Sequence, residues 1–140
     1  VSVQHLGYYD EKELSEALVG RRIVSAEKGS FREQDAYRSA EGLLVLDDGT
    51  VLLLAGNDGG CSCGGGDYDL THVAEVDNVI TGVQVELPPE SDYGDRSGTY
   101  TIFVFAENEK ISVAEFDGDD GSGYYGTGFS VTVIRPDVLA

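Results

Sequence analysis

"GLLVLDDGTVLLLAG", residues 42–56, holds two aliphatic runs on either side of an Asp48-Gly49 pair. Asp-Gly suits a two-residue type I′ turn, because both central residues of that turn need positive φ and these two residue types reach it at low cost. The stretch therefore predicts an antiparallel hairpin. Its apolar residues are consecutive instead of alternating, so both faces of the hairpin are expected to be covered.

Outward from this hairpin the chain reads as more short strands and one helix. In "YYDEKELSEALVG" Asp10 is placed as an N-cap, Glu13 completes a capping box, and Tyr9 can staple onto Leu14. Leu14, Ala17 and Leu18 form one apolar stripe at helical spacing, and Gly20 supplies a stop. The β-branched pair Ile23 and Val24 begins a strand, and the polar "SFREQDAYRSAE" after it reads as a loop or a partly helical turn. Further on, "DNVITGVQVELPP" sets Val79, Thr81, Val83, Val85 and Leu87 on one face and ends at Pro88 and Pro89. "SDYGDRSG" reads as a polar turn, and "TYTIFVFAENEKISVAEF" as a second hairpin with its tip around Asn108. "GFSVTVIRP" points Phe129, Val131 and Val133 inward and Ser130 and Thr132 outward. Seven or eight short strands and one capped helix imply a mainly β (α+β) single domain over residues 1–140. The two architectures this allows are an antiparallel β-sandwich and a strongly curved sheet closed over the helix.

Composition narrows the function. Thirteen aromatics and 41% hydrophobic residues are enough for a core despite a net charge of −17. The charge is uneven: residues 1–42 carry eight acids and six bases, residues 43–140 eighteen acids and three bases. Such a surface repels phosphate backbones and anionic lipids, leaving only residues 21–38 to offer a basic patch, so no direct nucleic-acid partner is expected. A basic protein surface would be attracted. No stretch approaches the ~20 apolar residues of a membrane span, and "VSVQHLGYYDEKE" lacks the apolar region of a signal peptide, so a soluble cytosolic protein without a membrane partner is expected. Cys61 and Cys63, one residue apart, would close only a strained ring and are expected to be reduced.

Glycine is concentrated in two places. The eleven-residue windows beginning at Gly56 and Gly118 hold eleven of the nineteen glycines, in "GNDGGCSCGGGDYDL" and "DGDDGSGYYGTG". The first has no basic residue and no following helix, which rejects a phosphate-binding loop. In the second, only Asp117 and Asp119 match a calcium loop; Gly121, Ser122 and Gly128 stand where a ligand, the turn glycine and the closing glutamate belong, which rejects an EF-hand. A nonstandard cation site from Asp117, Asp119 and Asp120 stays open. Cys61, Cys63, Asp67 and His72 could supply four zinc ligands, but a single residue between the cysteines is shorter than structural zinc spacing. Acidic neighbours Asp58 and Asp67 disfavour a reactive thiolate, and His5 and His72 read as ordinary surface or hydrogen-bonded imidazoles unless the fold brings them together.

"LVGRRIVSAE", "LDDGTVLLLAGNDGGCSCGGGDYDL", "EVDNVITGV", "YTIFVFAE" and "DGDDGSGYYGTGF" together resemble a small, functionally uncharacterised domain family of actinobacterial phages, over about Leu18 to Val133. The resemblance implies a phage-encoded accessory protein in the host cytoplasm and transfers no catalytic residue. The expectation is a non-enzymatic module without cofactor or metal that binds a host or phage protein. Its contact surface is expected on the two glycine-rich loops, through Asn57, Asp58, Cys61, Cys63, Asp67, Tyr68, Asp119, Asp120, Tyr124 and Tyr125. Tyrosine suits that role because it offers large contact area at low entropy cost. The rivals are a small-molecule or metal-ion binding protein using the same loops, and a virion component.

Overall fold

In the computed structural model, which describes residues 2–32, 39–56, 68–89, 97–119 and 128–136, the aliphatic hairpin sits in the middle of a five-stranded antiparallel sheet. The elements are β1 (Ser2–Gly7), α1 (Glu11–Leu18), β2 (Ile23–Arg32), β3 (Ser39–Leu46), β4 (Val51–Gly56), β5 (Tyr68–Val73), β6 (Gly82–Glu86), β7 (Ser97–Ala106), β8 (Glu109–Asp119) and β9 (Phe129–Arg135). One sheet has the order β1-β9-β4-β3-β2 and the other β5-β8-β7-β6. Every pairing is antiparallel. The inner faces share one core, with Leu44, Leu46, Leu52, Leu54, Val131 and Val133 from the first sheet and Leu70, Tyr100, Ile102, Val104 and Phe116 from the second. This is a β-sandwich with one short helix among the described residues. The nine strands described exceed the expected seven or eight because β1 and β5 form in segments whose polar and apolar residues give no clean period.

The hairpin forms, but not with the expected turn. Positive φ falls on Gly49 (φ +90) and not on Asp48. The Gly49 N–H donates to the Leu46 carbonyl (3.0 Å) and the Leu46 N–H to the Thr50 carbonyl (2.8 Å). The loop is thus the three residues Asp47, Asp48 and Gly49, a type I turn closed by a left-handed glycine. Asp48 Oδ1 accepts the Thr50 N–H (3.0 Å), and its Oδ2 lies 3.4 Å from Arg21. Desolvation pushes the Asp48 carboxyl up, but the hydrogen bonds from Thr50 and the charge of Arg21 together hold it below its ordinary value. The two-residue type I′ turn lies instead at Glu107 (φ 47) and Asn108 (φ 65), at the expected tip of the second hairpin. Gly49→Val is expected to cost ~1–2 kcal/mol, because a β-branched residue is strained at positive φ. An unchanged denaturation midpoint would contradict this.

The hairpin faces also differ from expectation. Leu44, Leu46, Leu52 and Leu54 are buried inward; on the other side Leu53 is buried as expected, while Leu43, Val45 and Val51 are only half-buried. They shield one another through the pairs Leu43–Leu53 and Val45–Val51. On β8 the alternation breaks at a bulge opposite Ile102 and Phe103, so the consecutive Val113 and Ala114 are both buried.

The helix buries Leu14, Ala17 and Leu18, and Gly20 (φ +86) ends it. Asp10 does not cap it by its side chain: its carboxylate turns back to accept the Gly7 N–H (2.8 Å). Tyr9, expected to staple onto Leu14, stays 71% exposed with its ring edge-on to Tyr8. The helix lies along β6, where Glu11 Oε2 accepts the Val85 N–H (2.8 Å). β6 itself is shorter than the alternation predicts. Val79 and Leu87 are exposed, and the residues buried before the strand are Val76 and Ile80, held by main-chain bonds to Ile23, Gly20 and Arg21.

Candidate functional site

Both glycine-rich segments connect one sheet to the other, β4 to β5 through residues 57–67 and β8 to β9 through residues 120–128. The registers put their roots in one row. Gly118 pairs with Tyr68 across β8 and β5, and Gly56 pairs with Phe129 across β4 and β9. The middle of the row is closed by contact, since a Cβ on Gly56 would run into the Tyr68 main-chain carbonyl. Gly56 and Tyr68, the described residues on either side of 57–67, therefore touch at the backbone. Glycine is required at 56 because two backbones meet there, which a side chain would prevent.

A carboxylate fastens this neck. Glu41 of β3 accepts the Gly56 N–H with Oε1 (3.2 Å) and the Leu70 N–H with Oε2 (3.0 Å), tying β4 and β5 to one side chain. Sequence reasoning missed Glu41. The available signal was a single acid beside Gly42 in the otherwise uncharged "SAEGLLVL". Gly42 repeats the theme, because Leu70 Cδ2 occupies the place of its Cβ and the sheets approach closely there.

Beneath the row lies an aromatic floor. The Phe116 and Phe129 rings stack at 4.7 Å and 11°. Tyr100 meets Phe129, Tyr68 and Tyr8 edge-on at 6.3, 5.1 and 5.3 Å. Offset-stacked and edge-to-face geometries are those the ring quadrupoles favour. Gly128 (φ +69) completes the second root, and a Cβ there would meet the Tyr8 ring at 2.5 Å. The chain thus enters β9 through a left-handed glycine pressed against an aromatic ring.

Few of the expected contact residues fall on described positions. Tyr68 is 2% exposed and belongs to the core, so it is not a contact tyrosine: as the first residue of β5 it points inward, where Tyr100 fills the space beside it. Asp119 is the last residue of β8, paired with Ser97. Asn57, Asp58, Cys61, Cys63, Asp67, Asp120, Tyr124 and Tyr125 lie outside the described residues. The expected polar turn at 91–98 does so too, apart from Ser97 and Gly98 in β7.

On the outer face of the second sheet, next to the row, Asp69 stands opposite Asp117, and both are exposed. Thr99 donates to Asp117 Oδ1 (3.2 Å). Like charges directly opposite oppose pairing in an isolated protein and attract a cationic partner. No three His, Cys, Asp or Glu side chains gather to hold a metal among the described residues. His5 and His72 sit on different sheets, His5 against the Thr132 hydroxyl (3.1 Å) and His72 Nε2 against the Ser112 carbonyl (3.3 Å).

A family model described as "Domain of unknown function (DUF7448)" matches residues 16–131, from within α1 to within β9, and so takes in both glycine-rich segments and the row that roots them. No curated protein and no solved structure matches the chain.

Proposed function

The chain belongs to this domain family of unknown function, and we propose that it is a non-enzymatic module that binds a basic protein surface through its two glycine-rich loops. The observation that carries the reading is the row Gly118, Tyr68, Gly56 and Phe129, which brings the roots of both loops side by side over a packed aromatic floor. A rigid scaffold under loops rich in glycine, Asp and Tyr is the usual construction of a recognition surface. The net charge of −17 and the exposed Asp69 and Asp117 beside the row give the surface the sign that attracts a cationic partner and hastens encounter. The sequence resemblance to phage-encoded domains supports a host or phage protein as the partner and the host cytoplasm as the site of action.

The test is affinity capture from host lysate with the wild type and two variants, Tyr124→Ala and Tyr125→Ala. Each variant is expected to weaken capture of the same protein at least tenfold, about 1.4 kcal/mol, with its thermal midpoint unchanged. Capture that is equal for all three proteins would remove the loops from the binding surface.

A further inference from the structure

We draw no further inference here: the strongest candidate, the aliphatic row of Val3, Ile134, Val51 and Val45 that crosses the outer face of the first sheet from β1 to β3, carries none, because nothing in the structure shows what covers it.

Discussion

Gly56→Ala is expected to lower stability by more than ~3 kcal/mol, since the added methyl group meets main chain and not a movable side chain. The obstacle is the Tyr68 carbonyl, which is fixed by the pairing of Tyr68 with Gly118. Relief would require β5 to move away from β4. That would stretch the hydrogen bond from the Leu70 N–H to Glu41 and shift Leu70 off Gly42. Gly29→Ala is the control. It lies in β2 with only ordinary contact to the Phe31 ring (3.4 Å), and its effect is expected to stay within ~0.5 kcal/mol. Chemical denaturation of both variants separates a shared glycine effect from the neck; equal midpoint shifts would show that the backbones at 56 and 68 do not constrain each other.

What could be read in the sequence were features that depend on neighbours along the chain. The stripe of Leu14, Ala17 and Leu18, the inward set of Phe129, Val131 and Val133, and the tip at Asn108 follow from local periodicity and turn chemistry, and the structure has them. Asp48-Gly49 marked a turn correctly but gave the wrong type, because Asp47 joins the loop once Leu46 pairs with Thr50, and pairing length is a property of both strands. The aliphatic runs at 43–46 and 51–54 suggested cover on both faces. The outer face is in fact buried at Leu53 and half-buried at Leu43, Val45 and Val51, which shield one another across the strands. The candidate site was legible only as an excess of glycine. Why Gly56 must be glycine depends on Tyr68, which arrives from another sheet, and Glu41 is a clamp only because β3 passes both strands it holds. Such through-space facts leave no periodic mark. Tyr68 misled for the same reason: it lies next to a polar loop in sequence, yet it is the first residue of a strand whose inner face is core.

Tyr68→Ala is accordingly expected to cost ~3–5 kcal/mol, the range for removing a large aromatic side chain from a core. The ring is 2% exposed and meets Tyr100 edge-on at 5.1 Å; Tyr100 in turn touches Phe129, which stacks on Phe116. Truncation would open a cavity directly beneath the row that roots both loops. Tyr68→Phe keeps the ring and its contacts and is expected to lose no more than ~1.5 kcal/mol, the scale of one hydrogen bond. Denaturation midpoints of the two variants decide the matter, and a Tyr68→Ala protein as stable as wild type would return Tyr68 to the surface. The same experiment fixes how binding data must be read. If alanine at 68 weakens partner capture only in proportion to the folded fraction, the residue acts through the floor. Loss of capture by fully folded protein would mean that the floor sets the geometry of the loops, and binding would then depend on aromatic packing that the partner never touches.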